Sequence, residues 1–148
     1  MGGATEHERA HDFDFWVGEW EVSGPDGTAY GRNSVTAPFG TGTLAEHWRG
    51  SGQVVGHSLN AYDAARGCWH QTWVDSGGSV LLLDGGLVEG AMVLEGVAPG
   101  ESEDLVRHRI TWTPSADGVR QHWETSADDG ATWTTAFDGR YRRLPHGM

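Results

Sequence analysis

The chain has 148 residues with ten basic side chains, all Arg, against 21 acidic ones, for a formal net charge of −11 and a sequence pI near 4.9. That length encloses one core and calls for one domain, and that charge disfavours a nucleic-acid partner, whose phosphates need a basic patch. The lack of any Lys removes Schiff-base, phosphate-loop and pyridoxal-phosphate chemistry.

Residues 1–10 are polar and acidic, without the apolar run of a targeting signal, and read as a tail ahead of a domain over 11–148. No stretch reaches the roughly 18 apolar residues of a membrane span, so no membrane partner is expected and the chain is expected to start near Met1. A single Cys68 forms no internal disulfide and fits a reducing compartment, with the cytoplasm as the default. Next, Asp12 stands as a cap before Phe13, Trp16 and Val17, apolar at i, i+3 and i+4, and Gly18 follows. This pattern predicts a short helix that plugs one end of the fold.

Ten strands follow, of the Val, Thr, Trp, Tyr and Leu content that favours a pleated, half-buried surface. They are Glu19–Ser23, Thr28–Ala37, Leu44–Gly50, Val54–Tyr62, Cys68–Asp75, Ser79–Leu83, Ala91–Val97, Leu105–Thr113, Val119–Ser126 and Thr132–Arg143. Turn pairs separate them, among them Pro25-Asp26-Gly27, Arg66-Gly67, Gly85-Gly86, Glu89-Gly90 and Asp117-Gly118. The segment Ala98–Asp104, with Glu101, Glu103 and Asp104, reads as a solvated hairpin or as a loop over a mouth. Connections this short leave no room for crossover helices, so pairing is antiparallel between sequence neighbours. Such a meander closes or leaves raw edges. The expected fold is all-β, a closed antiparallel up-and-down barrel, with a sandwich as the alternative.

Gly18-Glu19-Trp20, at the handover from helix to first strand, resembles the G-x-W start of calycin barrels such as lipocalins. The resemblance implies that an Arg of the last strand, from Arg140, Arg142 and Arg143, packs over Trp20. The chain also resembles a group of small bacterial proteins of unknown function through Phe13-Asp14-Phe15-Trp16-Val17-Gly18-Glu19-Trp20, Leu59-Asn60-Ala61-Tyr62-Asp63, Trp69 to Asp75, Arg109 to Pro114 and Phe137 to Tyr141. That likeness implies the barrel and no reaction. Ser126-x-Asp128-x-Gly130-x-Thr132-Trp133 is similar to the Asp-box of sialidases, which implies a carboxylate bracing a tight hairpin over a Trp.

Eight Trp exceed what a core of this size needs for volume, and five of them, Trp48, Trp69, Trp73, Trp112 and Trp123, fall inside strands. Flat indoles suit a ring-containing ligand. Residues two apart share a face of a strand. With the indoles inward, Glu46, Asn60, Tyr62, Gln71, His108 and Gln121 join them, an aromatic wall with polar tips. The candidate ligand-binding set is therefore Trp48, Asn60, Trp69, Gln71, Trp73, Trp112, Gln121 and Trp123. Glu46, Tyr62 and His108 are the candidate proton-transfer groups, a buried Glu46 titrating high. The opposite register turns His47, His57, His70, His122 and Glu124 inward, toward a metal or, as in the nitrobindin branch of calycins, a haem. No metal or nucleophile motif supports that register, and no cofactor is expected.

Three functions fit these residues: a cofactor-independent enzyme of cyclase, isomerase or hydrolase type, a carrier of a small hydrophobic or aromatic molecule, and an interaction protein that forms a homodimer through an exposed strand or Trp face.

Overall fold

A computed structural model describes residues 6–145; the first half of the expected tail, residues 1–5, lies outside them. A single turn of helix, α1 (Glu6–Arg9), is followed by a 3-10 turn over Asp14–Trp16 and ten strands: β1 Gly18–Ser23, β2 Ala29–Thr36, β3 Thr43–Gly50, β4 Val55–Asp63, β5 Cys68–Asp75, β6 Val80–Val88, β7 Ala91–Pro99, β8 Leu105–Ser115, β9 Gly118–Ser126 and β10 Thr134–Arg143. Each strand pairs antiparallel with its sequence neighbours, and β10 returns to β1 to close the barrel. No helix among the described residues is long and apolar enough to cross a membrane.

A one-turn helix, α1, stands where a tail is expected, and two further elements differ from expectation. The predicted helix capped by Asp12 is a 3-10 turn whose cap position is Phe13, with no side-chain cap hydrogen bond. The backbone there runs on i to i−3 bonds, Trp16 N–H to Phe13 O and Val17 N–H to Asp14 O, both 3.1 Å. Side chains three apart eclipse on a 3-10 turn. That brings the Phe13 and Trp16 rings into a stack with centroids 4.9 Å apart, both fully buried. The second difference is β6, which runs through Gly85-Gly86 to Val88. A side chain at Gly85 would collide with the Val93 carbonyl, so this glycine marks a close strand approach. The turn falls at Glu89-Gly90, whose φ values of 50° and 87° are those of a two-residue hairpin.

The two ends of the barrel are filled differently. At the end that receives the amino-terminal segment, Phe13 packs edge-on against Trp69 and Trp112, at centroid distances of 5.6 and 5.1 Å. The Trp69 indole donates to Arg9 O at 3.0 Å. Buried Trp20 donates to Trp16 O at 2.9 Å, and the Arg143 guanidinium lies over its ring at 4.3 Å while donating to Val17 O at 3.0 Å. A cation over an indole is favourable because the ring face carries negative potential. These contacts tie the turn and β1 to the last strand. At the other end the β9–β10 hairpin is braced as the Asp-box likeness implies. Asp128 accepts from the Ser126 hydroxyl and the Thr132 amide at 2.7 and 2.8 Å. Trp133 lies outside the barrel under the Arg109 guanidinium, at 3.9 Å.

Candidate functional site

Strand alternation sets what faces inward, and the indoles take that face. Glu46, Asn60, Gln71 and His108 are buried with them, whereas His47 and His57 are exposed and stack on each other outside at 4.3 Å. His70 sits between Asp84 and Thr72, at 2.9 and 2.7 Å. His122 bonds Thr135 at 2.9 Å, and Glu124 takes Arg109. The register that would gather imidazoles inside is therefore not the one adopted. Among the described residues no three His, Cys, Asp or Glu side chains come together to hold a metal ion.

Between the plug and the open end lies a cavity of about 160 Å³. Trp48, Trp73, Trp123, Phe137, Leu81 and Ile110 form its walls, Glu46, Gln71, Gln121 and Tyr141 supply polar groups, and Val54 and Asp75 complete it. The space persists because rings lie flat on the wall over glycines. The Trp73 ring occupies the place of a side chain at Gly56, the Trp48 ring would come within 3.0 Å of a Cβ at Gly31, and Phe137 within 2.6 Å of one at Gly139. Glycine leaves the pleat bare for a neighbour's ring. A bulge between Thr135 and Phe137 sets Phe137 opposite Trp123, and the inward face of β10 then continues through Gly139 to Tyr141.

A line of side-chain hydrogen bonds crosses the interior. Gln71 Nε2 donates to Asn60 Oδ1 at 2.7 Å, Asn60 Nδ2 to Ser58 Oγ at 2.9 Å, and Ser58 Oγ to Glu46 Oε1 at 2.6 Å. From the other side, Asn33 Nδ2 donates to Glu46 Oε2 at 2.7 Å and to Tyr141 Oη at 2.8 Å. Tyr141 in turn donates to Gln121 Oε1 at 2.6 Å. Register explains the order: Glu46 stands opposite Ser58, and Asn60 opposite Gln71. Burial raises the Glu46 carboxyl from 4.5 to about 7, with the Ser58 and Asn33 hydrogen bonds only partly opposing it. Desolvation disfavours the charged form, and here it outweighs two donors. The Tyr141 phenol is held well above its ordinary value, by burial first and by Glu46 second, so it stays a neutral donor.

Of the residues singled out from sequence, Glu46, Trp48, Gln71, Trp73, Gln121 and Trp123 meet at this cavity. Asn60 stands one hydrogen bond behind Gln71. Trp69 and Trp112 are instead part of the packing against Phe13. Tyr62 lies toward that same plugged end, 6.2 Å from Trp69, with its buried hydroxyl unpartnered among the described residues. His108 does not line the cavity. It accepts from the Trp123 indole on Nδ1 at 3.0 Å and faces Pro99 O with Nε2 at 3.2 Å, which makes it the Nε2–H tautomer. It borders a larger cleft of about 680 Å³ at the open end, where Gly100, Glu101 and Ser102 of the β7–β8 connection also lie. The loop around residues 100–104 is thus at the mouth.

Asn33, Ser58, Tyr141, Asp75 and Phe137 escaped the sequence reading. Alternation alone puts Asn33 on the face of Val35, Ser58 on the face of Asn60 and Asp75 on the face of Trp73, so that signal was present for three of them. No protein-family model matches the chain, and no curated protein matches it in sequence.

Proposed function

We propose that this barrel binds one small ring-containing hydrophobic molecule in the cavity above Glu46. The observation that carries the reading is a space of about 160 Å³ inside the barrel with four aromatic walls and a polar floor. An engineered apolar cavity of about 150 Å³ takes up benzene, so the volume here suits a single ring with a short substituent. Apolar walls supply affinity, and a few placed polar groups supply orientation. The closed ten-stranded architecture with Arg143 over Trp20 supports a calycin-like assignment, a superfamily resemblance that fits ligand binding inside the barrel.

Proton-transfer catalysis is a second reading of the same space, favoured by one group. A carboxyl near pH 7 in its titration, facing the cavity, is matched to general acid or base work. Carrier and enzyme share the pocket and differ at Glu46.

Titration with benzyl alcohol, followed by Trp fluorescence and calorimetry, tests the binding reading. Saturable, one-to-one binding supports it, and its loss in Gly56→Val, where Trp73 must swing off the wall, locates the site. Absence of saturable binding, or equal binding by the Gly56→Val protein, would rule the cavity out as the site.

A further inference from the structure

We propose that the cavity recognises the protonated amine of its ligand, with the ammonium group at Glu46 and the attached ring between Trp48, Trp73, Trp123 and Phe137; this rests on the binding reading above and names the ligand class. Its charge balance is the first argument. The lining holds two carboxylates, Glu46 and Asp75, and no Arg or His. Glu46 is 4% exposed and its hydrogen-bond partners are the neutral Ser58 and Asn33. A buried carboxylate without a cation is costly, and a ligand cation would supply the missing charge.

Hydrogen-bond polarity points the same way. Asn60 Nδ2 faces the Leu44 carbonyl at 3.4 Å as well as Ser58 Oγ, so its amide donates to Ser58, and the Ser58 hydrogen is left for Glu46. Asn33 likewise turns its amide nitrogen to the carboxylate. Donors arrive at both oxygens, an arrangement that serves the ionised form. Each carboxylate oxygen keeps a second lone pair for a donor from the cavity.

The walls add the third element. Trp48, Trp73, Trp123 and Phe137 line the same space as Glu46, so the ligand's ring has flat faces to lie against, and the negative potential of those faces favours a cation held at the carboxylate. An anionic ligand would meet two carboxylates and no base.

Glu46 is also the group through which pH acts on this site. Facing the same space are Tyr141 on β10, neutral throughout, and Asp75 at the end of β5. The remaining contacts, Asn33 on β2, Ser58 on β4, Gln71 on β5, Leu81 on β6, Ile110 on β8 and Gln121 on β9, do not titrate.

The test compares benzylammonium, benzyl alcohol and benzoate by calorimetry on the intact protein between about pH 5.5 and about pH 8.5, a range in which the alkylammonium stays protonated. Benzylammonium is expected to bind roughly tenfold or more tighter than benzyl alcohol at the alkaline end, and to lose that advantage on acidification as Glu46 takes up its proton. Benzoate is expected not to bind. In Glu46→Gln the preference for benzylammonium over benzyl alcohol should vanish; if that variant does not fold, the pH series on the unaltered chain decides alone. Benzyl alcohol binding as tightly as benzylammonium across the range would overturn the amine proposal and leave the pocket standing. Binding of neither would overturn both.

Discussion

The indole of Trp73 lies across Gly56 on the neighbouring strand, so close that a side chain there would overlap the ring. The two are diagonal neighbours, Gly56 standing opposite Asp75 and Ser58 opposite Trp73. The Trp73 indole nitrogen donates to Asp75 Oδ2 at 3.0 Å, which holds the ring against the wall. Trp73 is thereby wall and not filling.

Gly56→Val should therefore expel the ring into the cavity. Overpacking of this kind costs about 1–3 kcal/mol, and here the displaced ring has a void to enter, so the fold should survive with lowered stability. Denaturant unfolding should show the loss, and the Trp fluorescence of the native state should shift as the Trp73–Asp75 hydrogen bond breaks. An unchanged emission spectrum and midpoint would mean that the wall can yield without moving Trp73.

Glu46 gives the stability curve a sign that exposed carboxylates do not. Its carboxyl is raised by burial from 4.5 to about 7, so between those values the unfolded chain has released its proton while the folded one retains it. Stability is greatest below the lower value, falls as pH rises through this window, and is flat above it. The loss attributable to Glu46 is roughly 3 kcal/mol, from about 1.4 kcal/mol for each pH unit of displacement. Asp63, Asp84 and Asp138, whose Arg partners hold them low, act in the opposite sense and at lower pH. Chemical denaturation of the wild type and of Glu46→Gln across this range separates the two, the variant losing the decline and equalling or exceeding the wild type above pH 7. A parallel decline in both proteins would place the titrating group elsewhere.

The barrel was legible because its signals are local: turn pairs, strand composition and short connections all demand antiparallel neighbours. The inward face was legible too, once alternation was applied to the Trp residues. What escaped depends on packing across the sheet. Gly85-Gly86 has the composition of a turn, and only the approach of the Val93 carbonyl makes it a strand. Phe13 and Trp16 fit a helix by spacing, yet a 3-10 turn is what brings their rings together. Tyr141 and Asn33 are 108 residues apart, and nothing in the sequence of either strand announces that they meet at Glu46. Tyr62 shares its inward alternation with Asn60, but position along the strand puts it beside Trp69 at the plug. Alternation tells which face a side chain takes and not how deep it sits.

The plug should be worth a large share of total stability. Phe13 touches Trp16, Trp69 and Trp112 and is wholly buried, and removal of such a ring costs about 3–5 kcal/mol. Phe13→Ala is expected to lower the unfolding midpoint markedly and to open the closed end, which quenching of Trp fluorescence by acrylamide would register. Phe13→Leu should recover most of the loss, since it restores volume without the stacked geometry. If Phe13→Ala proved near-neutral, the amino-terminal segment would be an appendage and the barrel would stand without it.

Arg143 offers a way to separate charge from geometry at the seam where the last strand meets the first. Its guanidinium both covers Trp20 at 4.3 Å and donates to Val17 O at 3.0 Å, two roles that a planar fork can fill together and an ammonium cannot. Arg143→Met keeps the aliphatic stem over the indole and removes both roles; the expected cost is about 2–4 kcal/mol, the sum of a cation over a ring at an accessible site and one charge-assisted hydrogen bond. Arg143→Lys keeps the charge and loses the fork, so it should fall between wild type and Arg143→Met in denaturant midpoint. Equality of Lys with wild type would mean that charge alone matters here, and equality of Lys with Met would mean that the bond to Val17 does. An intermediate Lys variant is what the geometry requires, because the same carbonyl that receives the hydrogen bond is the one through which the 3-10 turn enters β1.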